Sequence, residues 1–163
     1  MKTRHRILAA GIAATAFSFA LIGRADADGG HFIPPVTDPV VKEECGSCHL
    51  AFSPAMLPAA SWRRLMDGLG QHFGTDASVA PATADHIRKV LTAQAADAGG
   101  ARYAGGLMRG IGAGQAPLRI TELPGWVRIH HEVRSRDWLQ PEVKTKANCV
   151  ACHADAPRGY FED

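Results

Sequence analysis

The chain of 163 residues contains two copies of one five-residue pattern, Cys45-Gly46-Ser47-Cys48-His49 and Cys149-Val150-Ala151-Cys152-His153. The pattern is C-x-x-C-H, the attachment signature of c-type haem. In such a site each cysteine forms a thioether with a vinyl group of the porphyrin, and the histidine reaches the iron as its proximal ligand. The two copies use all four cysteines of the chain. The motifs therefore predict two haem c groups, attached through Cys45, Cys48, Cys149 and Cys152, with His49 and His153 as metal ligands.

Two other kinds of site use paired cysteines. Zinc ribbons place their C-x-x-C pairs about 15–20 residues apart, whereas about a hundred residues separate the two pairs here. A thioredoxin-like dithiol requires a βαβ context, and the sequence shows no such alternation. Neither alternative accounts for the histidine that follows each pair, so a zinc site and a redox dithiol are both less favoured than haem.

The N-terminus has the three parts of a secretory signal peptide. Residues 1–6 are basic, residues 7–23 form an apolar run, and Ala25-Asp26-Ala27 fits the A-x-A cleavage rule. We therefore expect a signal peptide over residues 1–27 and a periplasmic mature protein that begins at Asp28. An uncleaved membrane anchor is the alternative, since the apolar run is at the short limit for a membrane span.

Removal of the signal peptide changes the net charge. The whole chain is formally +2, but residues 1–27 hold four basic residues against Asp26 alone. The mature chain is therefore about −1, before any haem propionate is counted. The basic pI belongs to the signal peptide and does not indicate nucleic-acid binding.

Apolar residues at helical spacing predict three helices. The first would begin at Ser61 as N-cap, run through Trp62 to Phe73, and end at Gly74. The second would be capped by Thr83 and would bury Ile87, Val90 and Leu91. The third would bury Trp126, Ile129, His130 and Val133. A short strand at residues 118–120 is the only sheet element indicated. The predicted fold class is mainly α: a small two-lobe protein with long loops and little or no sheet.

A glycine-rich segment, residues 99–114, divides the mature chain and disfavours regular structure. We interpret it as a linker between an N-terminal haem lobe, residues 28–100, and a C-terminal haem lobe, residues 101–163, which begins with the linker. A flexible loop that wraps one haem is the competing interpretation.

Each iron needs a second axial ligand, or it stays open to small molecules. His72 and His130 are the best candidates, because each lies on an apolar stripe where an imidazole needs a partner. Their spacing is matched: His72 follows His49 by 23 residues, and His130 precedes His153 by 23.

Other side chains compete for the distal positions. His131 lies beside His130 but further round the helix. Met108 lies in the glycine-rich segment, at a distance from His49 that suits a His/Met cytochrome. His31 and His86 are weaker candidates. Arg63, Arg64 and Arg119 could pair with haem propionates, although plain solvated surface explains each of them equally well.

With both motifs placed, the chain resembles the bacterial dihaem cytochrome c family of the DHC type. The resemblance rests on blocks spread over most of the mature chain: Glu44–His49, Leu57-Pro58, Ser61–Met66, His72-Phe73-Gly74, Asp76-Ala77-Ser78, Arg119–Glu122 and Asn148–His153. It implies bis-histidine ligation of both haems, low potentials and periplasmic electron transfer, with His72 and His130 at the distal positions. It also implies redox partners, namely a small haem protein and a membrane cytochrome b561. No nucleic acid and no stable membrane insertion after signal cleavage are expected.

The function predicted from the sequence is therefore that of an electron carrier and not of an enzyme. Two iron atoms closed by fixed nitrogen ligands would transfer single electrons with little rearrangement. A dihaem peroxidase or reductase would need one open iron and a substrate pocket. A haem-based sensor would need a displaceable ligand, such as His130 or Met108.

Overall fold

The structure, a computed structural model, describes residues 32–161; the predicted signal peptide and His31 lie outside the described residues. Five α-helices occur in this range: α1 (Pro39–Gly46), α2 (Ala59–Asp67), α3 (Pro81–Ala93), α4 (Ala101–Ala104) and α5 (Pro124–Ile129). Single 3-10 turns lie at Pro54–Met56, Leu69–Gln71, Gly105–Met108, Ile120–Glu122, Asp137–Leu139, Cys149–Ala151 and Ala156–Arg158. Within residues 32–161 there is no strand, only the isolated bridges Phe32–Tyr160 and His72–Thr75. The predicted mainly α fold with long loops is confirmed.

Helices α2 and α3 pack against each other and supply much of the core. Trp62 and Met66 are one turn apart on α2, and Ile87 and Leu91 are one turn apart on α3; all four are buried. This i, i+4 spacing places each pair on one face of its helix. The Trp62 indole Nε1 also donates a hydrogen bond to the Pro54 carbonyl oxygen, at 2.8 Å, so the ring is anchored to the preceding turn.

Both predicted hydroxyl caps are wrong by three residues. The N-cap of α2 is Pro58, and Ser61 is a fully buried residue inside the helix. The N-cap of α3 is Ala80, and the helix begins at Pro81. Proline is favoured at the first helical position because its missing N–H has no partner there in any case. Pro81 occupies that position in α3, whereas Pro58 is itself the N-cap of α2, so the prolines mark both helix starts more closely than Ser61 and Thr83 do.

The predicted first helix is also too long. Helix α2 ends at Asp67, and a 3-10 turn at Leu69–Gln71 follows. The glycines at 68 and 70 disfavour continuation of the helix. His72 therefore lies beyond α2, in a turn closed by a hydrogen bond from the Thr75 N–H to the His72 carbonyl oxygen at 3.1 Å. Gly74 has positive φ, as a C′ residue would, but it belongs to this turn and does not cap α2.

The glycine-rich segment is more ordered than its composition predicts. It contains α4 and the turn Gly105–Met108, and Leu107 is buried in the core. Gly100 lies so close to Ala55 that a Cβ at this position would be 2.8 Å from the Ala55 Cβ. Glycine here permits a close approach of two chain segments. The short strand predicted at residues 118–120 is also wrong: Arg119 is extended, but Ile120 already begins a 3-10 turn.

Packing crosses the predicted lobe boundary at residue 100. Trp126 and Leu123 belong to the same hydrophobic cluster as Trp62 and Leu91. The Arg64 guanidinium donates a hydrogen bond to the Ala116 carbonyl oxygen at 2.8 Å. The division into two lobes stays a prediction, but the halves share one core.

No helix among residues 32–161 is long and apolar enough to cross a membrane.

Candidate functional site

Helix α1 presents the first cysteine motif. The Asp38 carboxylate caps the helix by accepting a hydrogen bond from the Val41 N–H at 3.0 Å, and Pro39 occupies the first helical position. Cys45 lies near the end of α1 and is half-buried, while Cys48 is exposed in the turn that follows. Asp followed by Pro is a recognised sequence signal for the start of a helix.

The second motif forms a helical turn without a helix before it. Residues Cys149–Ala151 are a 3-10 turn, and the His153 N–H donates to the Cys149 carbonyl oxygen at 2.8 Å. Cys149 is half-buried and Cys152 is exposed, as in the first motif. In both motifs, therefore, the first cysteine is half-buried and the second is exposed, although only the first motif is preceded by an α-helix.

The cysteines do not resemble a reactive redox pair. No disulfide joins any of the four, and burial raises the pKa of the Cys45 and Cys149 thiols. Catalytic dithiols have a lowered thiol pKa instead. Among residues 32–161, no group of three or more His, Cys, Asp or Glu side chains is gathered to hold a metal ion, so the four cysteines do not converge on one zinc position.

His49 and His72 face each other. Their ring centroids are 6.2 Å apart, and the ring planes make an angle of 24°. The His49 Nδ1 lies 2.7 Å from the Leu50 carbonyl oxygen. A carbonyl oxygen can only accept, so Nδ1 carries the proton and the lone pair of the neutral ring is on Nε2. Burial lowers the pKa of His72, as do nearby His49 and Arg119, which favours the neutral form that binds metals.

His130 and His153 form a second pair with the same separation but a different orientation. The ring centroids are again 6.2 Å apart, and the planes cross at 85°. His130 is the C-cap residue of α5, and its ring stacks on Trp126 with 4.0 Å between centroids. Its Nδ1 lies 2.9 Å from the Trp126 carbonyl oxygen, so Nδ1 is the protonated nitrogen here too.

The spacing in both pairs suits one metal ion between two imidazoles. Metal–nitrogen bonds of about 2 Å on each side, with roughly 1 Å from each nitrogen to its ring centre, put the two centroids about 6 Å apart. Both observed separations are 6.2 Å. The structure therefore brings together the two histidine pairs that the spacing of 23 residues indicates.

The alternative ligands lie elsewhere. His131 is exposed, with its Nδ1 2.8 Å from the Arg128 carbonyl oxygen. Met108 is half-buried against the hydrophobic core and lines neither of the two cavities described below. The His86 Nε2 lies 2.9 Å from the Asp38 Oδ2, and this contact stabilises the start of α1. No sequence pattern links these two residues, because 48 positions separate them.

Two cavities lie beside the motifs. One, of about 310 Å³, borders the first motif at Gly46 and His49 and extends to Leu50, which follows the motif. The other, of about 170 Å³, is lined by both cysteines of the second motif, by His130 and His153, and by apolar residues that include Trp126 and Trp138. Apolar walls with a few polar groups are typical of cofactor sites. The second cavity, which holds both cysteines and both histidines of its site, fits a covalently held porphyrin. At the first site the donor set fits one, while the neighbouring cavity reaches only His49 among its donors.

Of the arginines proposed for propionates, only Arg119 lies near a histidine pair. Its guanidinium stacks on the Phe73 ring at 4.0 Å, and Phe73 in turn contacts His72. Arg64 is engaged with the Ala116 carbonyl oxygen. Arg63 is exposed, and its backbone carbonyl oxygen accepts a hydrogen bond from Arg88.

Comparison with known proteins agrees with these sites. Residues 41–161 match the dihaem cytochrome c family. A diheme cytochrome c from Rhodobacter sphaeroides is 44% identical, with a TM-score of 0.72 over 78% of this chain and 99% of that chain. A crystal structure of DHC purified from Rhodobacter sphaeroides is 41% identical, with a TM-score of 0.65 over 78% and 99%. A diheme cytochrome type c from Shewanella baltica OS155 is 31% identical, with a TM-score of 0.62 over 76% and 86%. A comparison with curated proteins finds no match.

The family match includes both C-x-x-C-H motifs and both histidine pairs. The chain is similar to the Rhodobacter sphaeroides structures over almost their whole length. The cysteine motifs, the paired imidazoles and the shared fold all indicate the same cofactor. This chain therefore belongs to the dihaem cytochrome c family, carries two haem c groups and serves haem-based electron transfer.

Proposed function

We propose that both haem irons are closed by two histidines, His49 with His72 and His130 with His153. The observation that carries the proposal is the pair of equal ring separations, 6.2 Å each. Cys45 and Cys48 would hold one porphyrin, and Cys149 and Cys152 the other. The haem supplies one-electron chemistry, while the protein fixes the imidazoles through the hydrogen bonds of His49 and His130 to backbone carbonyl oxygens.

The ligand set supports a low potential and a carrier role. A methionine ligand would raise the potential relative to two imidazoles, and the position of Met108 against the core favours histidine instead. Two closed iron atoms leave no coordination position for a substrate, which supports an electron carrier over an enzyme or a sensor. Electrons would pass between the two haems within the chain.

The location and the partners follow from the sequence and the resemblance. Covalent haem attachment takes place outside the cytoplasmic membrane, and the signal-like residues 1–27 provide for export, so the protein is periplasmic in this proposal. Its redox partners would be other haem proteins, a small haem protein and a membrane cytochrome b561, as the resemblance implies.

Spectroscopy of the holoprotein tests the ligation. We expect two low-spin irons in the visible and EPR spectra and no change on addition of CO. His72→Ala and His130→Ala should each convert one haem to a high-spin form that binds CO. His131→Ala is the matched control and should leave both haems low-spin. A high-spin iron or rapid CO binding in the unaltered protein would instead favour a peroxidase-like enzyme or a sensor.

A further inference from the structure

The two cavities share part of their walls. Ile33, Met56 and Phe161 line both the cavity beside His49 and the cavity that contains His130 and His153. Ile33 and Met56 are buried, Phe161 is half-buried, and all three belong to or pack against the single hydrophobic core. We call these three residues the shared wall. Each of its members lines both cavities.

The shared wall is built from three distant parts of the chain. Met56 comes from the turn after the first motif, and Ile33 and Phe161 come from the two ends of the described chain. The Ile33 N–H donates to the Gly159 carbonyl oxygen at 2.9 Å. The rings of Phe32 and Tyr160 lie 5.1 Å apart beside this bond. These contacts hold the two terminal segments against each other.

Phe161 has a further contact with one of the motif histidines. Its ring lies edge-on to His153, with 5.7 Å between centroids. The same side chain lines the cavity next to His49. One aromatic side chain therefore lies in the surroundings of both motif histidines.

We propose that the shared wall couples the environments of the two haems, and that Phe161 is a positioning residue common to both. The inference rests on the proposed bis-histidine electron carrier. Burial and solvent exposure are among the features by which a protein sets a haem potential. The ferric haem carries one more positive charge than the ferrous form, so water admitted near the iron stabilises the ferric state. A change at the shared wall should therefore affect both haems, whereas a change elsewhere in either cavity should affect one.

The test compares Phe161→Ala with two controls in the holoprotein. Leu50 lines only the first cavity, and Ile129 lines only the second. The midpoint potential of each haem is followed by EPR-monitored redox titration, with the signals assigned through the His72 and His130 variants. We expect Phe161→Ala to lower both potentials. Leu50→Ala should shift only that of the first haem, and Ile129→Ala only that of the second.

A shift of a single potential by Phe161→Ala, or no shift, would overturn the proposal, as would a shift of both potentials by either control. If Phe161→Ala does not fold, Phe161→Leu keeps much of the apolar volume and should give a smaller shift of both potentials. The spectrum of the unaltered holoprotein separates the two proposals. A high-spin or CO-binding iron would contradict the proposed function, whereas low-spin spectra with unlinked potentials would contradict only the shared wall.

The shared wall can also be tested by substitutions that displace the backbone of the terminal segments. Gly159 has a φ of +90°, and a Cβ there would collide with the Ile33 carbonyl oxygen. Gly114 has a similar φ of +81°, but a Cβ there would meet nothing within 4 Å. Gly159→Ala should displace the terminal segments and shift both potentials, whereas Gly114→Ala should introduce the same kind of backbone strain and shift neither. Equal effects of the two substitutions would count against the shared wall.

Discussion

The two histidine pairs have the same ring separation but different orientations. The rings of His49 and His72 are near parallel, at 24°, and those of His130 and His153 are near perpendicular, at 85°. His72 lies in a tight turn after α2, whereas His130 is held flat on Trp126 at the end of α5. Equal spacing along the sequence therefore does not produce equal geometry, because the local partners of each ring set its rotation.

The surroundings of the two pairs differ as well. The first motif extends from α1, which packs on α3. Beyond α5, the described residues 130–161 contain only 3-10 turns. We therefore expect the two sites to depend on their haem groups to different degrees, and the following substitutions test that contrast and the contrast in ring orientation.

Loss of the second haem should unfold more of the chain than loss of the first. In Cys149→Ala/Cys152→Ala, residues 130–161 lose the porphyrin that fills their cavity, and their short turns cannot replace that apolar contact. In Cys45→Ala/Cys48→Ala, the packed pair α2 and α3 remains. Hydrogen exchange should show full loss of protection in residues 130–161 for the first variant, and retained protection in α3 for the second. Equal loss in both variants would contradict the contrast.

Trp126→Ala should disturb the crossed pair alone. The substitution removes a buried aromatic ring and should cost about 3–5 kcal/mol of unfolding free energy. It also releases the His130 ring from its stacking partner, so the EPR signal of the second haem should change while that of the first does not. Trp62→Ala is the matched control, since Trp62 is equally buried but its contact is with the Pro54 carbonyl oxygen. A similar loss of stability with both EPR signals unchanged is expected there.

Asp38→Ala should weaken the scaffold of the first site. The carboxylate caps α1 and also pairs with His86, so its removal should lower the denaturation midpoint. Asp38→Asn keeps a capping oxygen and should lower the midpoint less. His86→Ala, which leaves the cap intact, is the control for the exposed pair.

The same cap predicts a pH dependence. The hydrogen bond from the Val41 N–H, and then His86, lower the pKa of Asp38 below its ordinary value. Its contribution to stability is therefore complete above the pKa of the unfolded chain, about 3.9, and is lost as the pH falls through the lower folded value. Denaturation midpoints measured from pH 6 downward should fall more steeply below about pH 4 in the unaltered protein than in Asp38→Asn. Parallel curves would contradict this assignment.

The smallest effects are expected from the rejected ligands. His131→Ala and Met108→Leu should leave both spectra and both potentials unchanged, because His131 is exposed and Met108 packs on the core. A high-spin component in either variant would show that the pairing of ligands differs from the one proposed.

Much of the site was predictable because each cysteine motif consists of contiguous residues. The cysteine motifs specify the cofactor, and the apolar stripes around Trp62 and Trp126 correctly predict a helix at each place. The third stripe is wrong in its extent, because α5 ends at Ile129, which is exposed, and Val133 lies beyond it. The errors concern boundaries and packing. Ser61 was predicted to be a cap but is buried, and the glycine-rich segment packs more closely than its composition predicts. Such outcomes depend on contacts with distant residues, for example Gly100 with Ala55, which local propensity does not contain.

The sequence by itself determined the chemistry: two C-x-x-C-H motifs specify two covalently attached haems, and the matched histidine spacing predicts a distal ligand for each iron. The tertiary structure alone decided how each imidazole is turned and which side chains line both cavities. Covalent attachment needs only neighbouring residues. Ring orientation and the shared wall need side chains from separate segments, Trp126 under His130 and Phe161 against His153, and these come together only when the hydrophobic core forms.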